Sequence, residues 1–310
     1  MNELPLSVVI CTYNRADLIG LALADLTRQT LDTRQFEIIV IDNNSRDTTP
    51  EVVRSFTEQY PHIRYFFEGK PGRSIARNRG WQEARGEFVA YLDDDIRVDP
   101  QWATAMLRAL QQTPRPLAVG GLVEPWYAET PPAWFVRDFE LRSWGDQPGY
   151  IPAQRAPFGF AGGNMGIAKK VLQQYGGFQE ELGGGGEHMP RMGEETDLFF
   201  RIYKDHQAEA DRIFWFEPAA RIQHWTPARN WQIPYRLQRS HASGAARAWM
   251  MQVKPYSWQY WRVLAFGVKS TFRLLKSLAT TKHPMKTEWV KYRQTLAYLK
   301  GFSDESRTLK

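Results

Sequence analysis

The sequence predicts an α/β protein: a mostly parallel, twisted sheet flanked by helices, followed by a C-terminal helical extension. Three observations carry this. Short β-branched and aromatic runs alternate with helix-period segments over the first 115 or so residues, which is the pattern of βαβ units. The strand-like runs end in polar or acidic residues, so several loops converge on one sheet edge, where open α/β sheets take their ligands. Beyond residue 235 the pattern is helical and basic. A chain of 310 residues with 43% hydrophobic and 24% charged residues is long and apolar enough for one large domain or two modest ones.

Taken in order, Leu6 to Thr12 reads as a strand ending in Tyr13-Asn14-Arg15, and Leu18, Leu21, Ala22 and Leu26 follow at helical spacing. Phe36 to Ile41 is the second strand, ending in Asp42-Asn43-Asn44-Ser45. A helix begins near Asp47-Thr48-Thr49-Pro50, with Pro at an early position. Ile63 to Phe67 is a third short strand, Lys70-Pro71-Gly72-Arg73 a loop, and Ser74 to Arg85 a helix. Phe88-Val89-Ala90-Tyr91-Leu92 has the apolar make-up of a strand buried on both faces, and it ends abruptly in Asp93-Asp94-Asp95. Pro100 to Gln112 is a helix and Leu117 to Val123 a strand.

The segment 125–157 is broken by six prolines with Trp126, Trp134 and Trp144 between them, and it is expected to be an ordered, aromatic-lined loop. Phe158 to Ile167 is strand-like, and Lys169 to Tyr175 is a helix closed by Gly176-Gly177. The glycine run Leu182 to Glu187, just ahead of a helix running from Glu194 through Lys204, reads as a gate over a site. Ile213 to Glu217 is a last strand, with His224 after it. The expected organisation is one domain over 1–234, in two parts at about 1–115 and about 116–234, and a basic helical region over 235–310.

Three adjacent carboxylates at a strand end repel one another and resist desolvation, a cost that a divalent cation or a cluster of donors relieves. The alternative is a solvated turn. Alternation along an extended segment sends Asp93 and Asp95 one way and Asp94 the other. The lone cysteine, Cys11, excludes an internal disulfide and lies in an apolar run, as a structural thiol does. Residues 226–310 hold 16 Lys+Arg against 3 Asp+Glu, while the first 225 hold 24 against 31, so a mildly acidic body carries a basic tail suited to an acidic partner. Between Trp261 and Ala279, the residues Leu264, Ala265, Val268, Phe272 and Leu275 are expected on one helix face. Arg262, Lys269, Arg273 and Lys276 are expected on the opposite one, so the helix either lies in a membrane interface or docks on protein. No signal peptide and no charge-free stretch of about 18–20 residues is apparent, so the expected location is cytoplasmic, peripheral to the inner face of the membrane.

Together these motifs resemble the family 2 glycosyltransferases, nucleotide-sugar enzymes of the GT-A fold. The resemblance rests on Thr12-Tyr13-Asn14-Arg15, Asp42-Asn43-Asn44-Ser45, Arg77-Asn78, Asp93-Asp94-Asp95 in place of the D-x-D motif, Gly163-Asn164-Met165, Gly176-Gly177-Phe178, Glu194-Glu195-Thr196-Asp197-Leu198 and His224. It runs over about residues 5–225.

It implies an inverting transfer of one sugar from a nucleotide-diphosphate sugar, UDP-type, to a saccharide or lipid-linked acceptor in surface polysaccharide or glycolipid assembly. Mn²⁺ or Mg²⁺ is the implied cofactor, and no nucleic acid partner is expected. By the resemblance, Asp95 ligates the metal with His224 as a candidate second ligand, and Asp93 holds the ribose beside Asp94. Asp42 accepts a bond from the base, and Thr12, Tyr13 and Arg15 line the nucleotide pocket. Either Arg73 or Arg77 contacts the base or the diphosphate. Gly163, Asn164 and Trp225 belong to the acceptor side. The catalytic base falls on Glu195, where the family more often has Asp, with Glu194 as the alternative. A nucleotidyltransferase on a related sheet is the rival reading, but Cys11 to Arg15 lacks the glycines of a phosphate loop. A non-catalytic nucleotide-sugar or membrane-binding module is the other.

Overall fold

The computed structural model describes residues 4–152, 160–183, 193–280 and 284–309. Its strands are β1 (Leu6–Thr12), β2 (Phe36–Asp42), β3 (Ile63–Phe67), β4 (Phe88–Leu92), β5 (Ile96–Val98), β6 (Ala118–Tyr127), β7 (Gly149–Tyr150), β8 (Asn164–Ala168) and β9 (Phe214–Thr226). Among the described residues they form one mixed sheet of order β3-β2-β1-β4-β8-β6-β9-β5, with β7 paired to β9. The β3-β2-β1-β4 half is parallel, while β8 runs antiparallel to β4 and to β6. Parallel strands need crossovers that cover both faces. These are α1 (Ile19–Leu26), α2 (Thr49–Gln59) and α3 (Arg73–Glu83), with α4 (Trp102–Leu110) following β5. β1, β2 and β4 are accordingly apolar and buried almost throughout. Cys11 is half-buried on β1, and desolvation pushes its thiol up to about 12, which leaves it inert.

Most expected elements are present with ends shifted by a residue or two, and α5 (Lys169–Tyr175) and α6 (Glu194–Asp205) stand where the pattern put them. The strand expected over Ile213 to Glu217 is far longer: β9 continues to Thr226 and carries His224 inside the sheet. β6 likewise runs on through Pro125 and Trp126. Of the Gly-rich gate, Gly184 to Glu187 lie outside the described residues, as do Phe158 and Gly159 of the expected strand. Its described start is anchored: Leu182 O accepts from Ser74 Oγ at 2.5 Å, and Gly183 O from Arg73 N at 2.8 Å.

One side chain ties the antiparallel half together. Asn164, fully buried at the start of β8, accepts from Trp102 Nε1 at 2.8 Å. Its amide donates to Leu122 O at 3.0 Å and Ala220 O at 2.9 Å, so it links α4, β6 and β9. Gly121 is required beside it, because a Cβ there would overlap the Asn164 amide.

The described residues divide into two compact units. The first holds the sheet, α1–α6 and the chain as far as Trp225. The second holds Tyr127–Phe139 and the chain from Thr226 on. The second unit therefore takes in part of the Trp-rich loop as well as the C-terminal helices. The physical reason is packing: Trp134, Phe135 and Phe139 form one buried cluster with Val290, and the Arg236 guanidinium lies over Phe139 at 4.2 Å. The helices of this unit are α7 (Ile233–Met250), α8 (Trp258–Thr280) and α9 (Met285–Thr308). α7 and α9 touch backbone to backbone, because Gly244 faces the Tyr298 carbonyl and Gly301 faces that of His241.

The faces of α8 are not those the sequence suggested. Its docked side is Tyr260, Val263, Leu264, Gly267 and Ser270; Tyr260 Oη lies 2.8 Å from Ser303 Oγ, and Gly267 leaves room for Leu299. Ala265, Val268 and Phe272 are exposed, on the same side as Arg262, Lys269 and Lys276. The side chains of Arg273 and Leu275 lie outside the described residues.

Replacing Asn164 by Ala strands the Trp102 N–H and two strand carbonyls in the core. Unfolding in urea is expected to show a loss of about 3 kcal/mol; a loss below about 1 kcal/mol would mean that the Asn164 bonds do not hold the two strand pairs together.

Candidate active site

The site residues lie where strand ends meet. Register pairs Thr12 with Asp42, and Ile10 with Leu92, so the carboxyl ends of β1, β2 and β4 open on one edge. The chain leaves β4 through Asp93-Asp94-Asp95 and enters β5, whose Ile96 pairs with His224 of β9, while Trp225 N donates to Asp95 O at 2.8 Å. β5 is held in turn by the buried Asp25 of α1, which accepts from Arg97 at 2.7 and 3.0 Å and from Val98 N at 3.0 Å. Two distant segments are thereby brought together: His224 Nε2 lies 3.4 Å from Asp93 Oδ2 and 3.3 Å from Asp95 Oδ1. Nδ1 sits 3.0 Å from Trp225 O, which can only accept, so that nitrogen carries a proton and Nε2 is the ring atom that faces the carboxylates.

Asp93, Asp95 and His224 each turn one ligand atom into a cluster within 4.8 Å. The spacing fits a cation: adjacent corners of an octahedron with bonds of about 2.1 Å lie about 3 Å apart. Two carboxylate oxygens and an imidazole are a donor set that a divalent cation can take. The protein alone meets the charge density by protonation. Burial opposes a charged His224, but the bond to Asp93 and the charge of Asp95 outweigh it and lift the imidazole up to about 9. Asp94 turns away from His224, as alternation requires, but not out of the site. Its Oδ1 is 3.5 Å from Arg15 Nε, and desolvation, with Asp95 adding to it, pushes the carboxyl up to about 7. Arg15 also reaches Asp95 at 3.4 Å.

On the other side of Asp93 stands Arg77. It is 4% exposed, with Nη2 3.8 Å from Asp93 Oδ1, Nη1 2.7 Å from Glu194 Oε1 and 3.9 Å from Glu195 Oε2. Its guanidinium lies over the Phe178 ring at 5.5 Å. This separates the two glutamates. Burial raises Glu194, but Arg77 and Arg73 outweigh it and hold that carboxyl below its usual range. Burial and the neighbouring Glu194 charge push Glu195 up to about 7. Glu194 is thus a locked ion-pair partner, and Glu195 is a carboxyl poised to exchange a proton near neutrality. Both stand in the first turn of α6, where a helix favours negative charge. Asp197 serves the scaffold instead. It pairs with Arg201 at 2.9 Å, which donates to Tyr175 O and Gly177 O at the end of α5.

Arg73 and Arg77 are told apart by exposure. Arg77 is enclosed by carboxylates, whereas the Arg73 side chain is 60% exposed and 3.7 Å from Glu194. On the strand-end side, Tyr13 is 55% exposed. Thr12 is buried beside Asp94. Asn14 and Asn44 take positive φ and knit the two loops together: Asn14 N donates to Ser45 Oγ, and Arg46 N to Asn14 Oδ1. Asp42 has no exposed surface. It accepts from Ser45 N at 2.9 Å, which closes the 42–45 turn, and from Tyr65 Oη at 2.8 Å.

Gly163, expected on the acceptor side, is needed because a Cβ there would overlap the Asp93 carboxylate, and one at Gly162 would crowd Arg77. Asn164 is corrected: its amide is fully used within the sheet. Trp225 packs edge-on against Trp126 at 4.7 Å. Sequence reasoning missed the roles of Arg77, Phe178, Tyr65 and Asp25. Arg77 and Phe178 left a signal, as parts of Arg77-Asn78 and Gly176-Gly177-Phe178, and Tyr65 and Asp25 left none. Asn78 itself bonds both backbone groups of Phe178, holding that ring under Arg77.

Residues 7–176 match the family described as Glycosyl transferase family 2. Validoxylamine A glucosyltransferase of Streptomyces hygroscopicus subsp. jinggangensis is 42% identical over 106 residues, 34% of this chain and 25% of that enzyme. Glucosyl-dolichyl phosphate glucuronosyltransferase of Haloferax volcanii is 24% identical over 220 residues, 70% of this chain and 68% of that one. The first curated relatives are matched over only 23–40% of their own length. Among solved structures, the mannosyltransferase PcManGT of Pyrobaculum calidifontis, in complex with GDP-Man and Mn²⁺, superposes with a TM-score of 0.57 at 17% identity, covering 97% of this chain and 73% of that one. TarS 1-349 of S. aureus with UDP-GlcNAc gives 0.53 at 14%, covering 96% and 90%. At such identities the likeness is one of fold, and these neighbours bind nucleotide sugars within it. With the family match spanning more than half of its residues, the chain belongs to glycosyl transferase family 2.

Proposed function

We propose that the chain is an inverting, divalent-metal-dependent transferase that moves one sugar from a UDP-type nucleotide sugar to an acceptor hydroxyl, in surface polysaccharide or glycolipid assembly. The observation that carries the reading is the division of labour around Arg77. A cation-type donor set, Asp93, Asp95 and His224, stands on one side, and a carboxyl with a pKa near 7, Glu195, stands on the other. The Mn²⁺ in the complex of the PcManGT neighbour supports the first half. A divalent cation held there supplies positive charge to the diphosphate as it leaves. Arg73, the exposed guanidinium, serves the same diphosphate from the α3 side. Tyr13 and Arg15 line the nucleotide, and Asp42, fully buried, serves the base side by holding the 42–45 turn.

Glu195 accepts the acceptor's proton as the acceptor oxygen bonds to the anomeric carbon. The bond from that carbon to the phosphate oxygen breaks, and the nucleotide diphosphate leaves with the electron pair. A single displacement inverts the anomeric centre. Glu194 stays paired with Arg77 and fixes the start of α6, so Glu195 rather than Glu194 is the base.

Three outcomes are expected. Glu195→Gln should lower kcat by about 10²–10⁴ while leaving donor binding within a few-fold; equal turnover by the variant would sink the assignment. The wild-type rate should fall about tenfold per pH unit below about 7, where Glu195 holds its proton, and level off above it, a limb that Glu195→Gln should lose. Adding Mn²⁺ with UDP should raise the Tm of the wild type by mass action, and the Mn²⁺-dependent part of that shift should vanish in Asp95→Ala. A panel of UDP-, GDP- and dTDP-sugars in the same melt assay tests the donor base: a larger shift with a GDP-sugar would overturn the UDP reading.

A further inference from the structure

Helix α8 exposes apolar and basic side chains together, although its interior face is already satisfied. Trp258, Trp261, Val268 and Phe272 are 75%, 53%, 60% and 69% exposed. Their spacing, in multiples of three or four residues, places them along one stripe. Arg262, Lys269 and Lys276 recur every seven residues, are also exposed, and form a second stripe beside the first. The rotation between the stripes is small. At about 100° per residue, both fall within roughly the same half of the helix, and Tyr260, Leu264, Gly267 and Ser270 fall in the other half against α9. α8 contains no acidic residue from Trp258 to Thr280. The stretch from Trp258 to Lys276 is about 27 Å long at 1.5 Å per residue.

Large aromatic side chains left in water are disfavoured, and a contiguous row of them marks a surface that something covers. What covers this one must accept aromatic rings on one side and neutralise a row of cations on the other. A second copy seated face to face would set Arg262, Lys269 and Lys276 against the same residues of its partner, with no carboxylate on either helix to answer them. An anionic bilayer meets both demands. Trp and Phe enter the interface between headgroups and chains, and the adjacent Lys and Arg stay at the level of the phosphates. The surrounding chain favours the same partner, with 16 Lys+Arg against 3 Asp+Glu over residues 226–310. No helix among the described residues is long and apolar enough to cross a membrane, so α8 lies along the surface.

We infer that the exposed face of α8 is a docking surface for an anionic phospholipid bilayer. Trp258, Trp261, Val268 and Phe272 insert at the interface, and Arg262, Lys269 and Lys276 bind the lipid phosphates. The inference goes beyond the transferase reading and does not depend on it, since binding requires neither donor nor acceptor.

The full chain is tested by co-sedimentation with phosphatidylcholine vesicles, with and without about a third phosphatidylglycerol. Binding to the anionic vesicles should exceed binding to the neutral ones at least tenfold and should weaken with salt. Trp258 and Trp261 contribute to a blue shift of tryptophan emission on binding. Arg262→Gln/Lys269→Gln/Lys276→Gln and, separately, Trp258→Ser/Trp261→Ser/Phe272→Ser should each weaken binding at least tenfold. All six positions are solvent-facing, so circular dichroism and Tm should be unchanged. Equal binding to neutral and anionic vesicles would overturn the proposal. So would wild-type binding by both triple variants, or loss of self-association in place of vesicle binding. Donor hydrolysis measured on the same variants without vesicles keeps a failure of the membrane surface distinct from a failure of the active site.

Discussion

The active site depends on one buried cation. Arg77 comes from a helix that crosses between two parallel strands, and its guanidinium meets carboxylates from two parts of the chain: Asp93 at the end of β4, and Glu194 and Glu195 at the start of α6. A buried guanidinium is unfavourable alone, and so is a buried Glu194 carboxylate crowded by the half-buried Glu195 and Asp93. Together they are tolerable, and the arrangement has a chemical consequence. The nearest carboxylate, Glu194, takes the strong bond and stays charged. Glu195 is left with the weaker contact and the repulsion of its neighbour, so its proton affinity rises to the range a base needs. The packing beneath is consistent with this. Phe178 lies under the guanidinium, Asn78 holds Phe178 by both backbone groups, and Gly162 and Gly163 leave room for Arg77 and Asp93 to approach.

The acidic cluster depends on register rather than on burial. His224 is distant from Asp95 in sequence and reaches it because β5 pairs with β9 at Ile96 and His224. β5 is only three residues long, and its position is set by Asp25, which takes Arg97 and a backbone N–H from the same strand. A slip of one residue in this short pair would turn the imidazole to the other face of the sheet. The loops after β1 and β2 are built differently. They are bound to one another by Asn14, Ser45, Asp47 and Thr49, so the ends of β1 and β2 act as one wall.

Local patterns carried much of this. Periodicity located the βαβ half, because strands buried on both faces and the helices between them leave strong apolar signals. The acidic run after β4 and the Glu pair before α6 were visible as motifs. Individual roles were less visible. Asn164 belongs to a motif read as acceptor-side, yet its amide holds the sheet, and nothing local distinguishes a buried amide that faces strand carbonyls from one that faces a ligand. Arg77 was one of two arginines four residues apart on the same helix face, equivalent by chemistry and separable only by what surrounds them.

The contrast is clearest in α8 and at Asp93-Asp94-Asp95. For α8, apolar and basic residues sort onto opposite faces by residue type, but the helix docks through Tyr260, Gly267 and Ser270. Close packing against α9 sets Gly267 and the bonded Tyr260 hydroxyl on the docked side with Val263 and Leu264, and leaves Ala265, Val268 and Phe272 outside. For the carboxylates, the residue types alone determined that charge would gather at a sheet edge, and strand alternation determined that Asp94 would part from its neighbours. Tertiary structure decided which partners answer those charges: His224 through a strand pair, Arg15 through a loop, Arg77 through a crossover helix. Electrostatic roles depend on distances of a few ångströms between side chains far apart in sequence, and only the folded chain sets those distances.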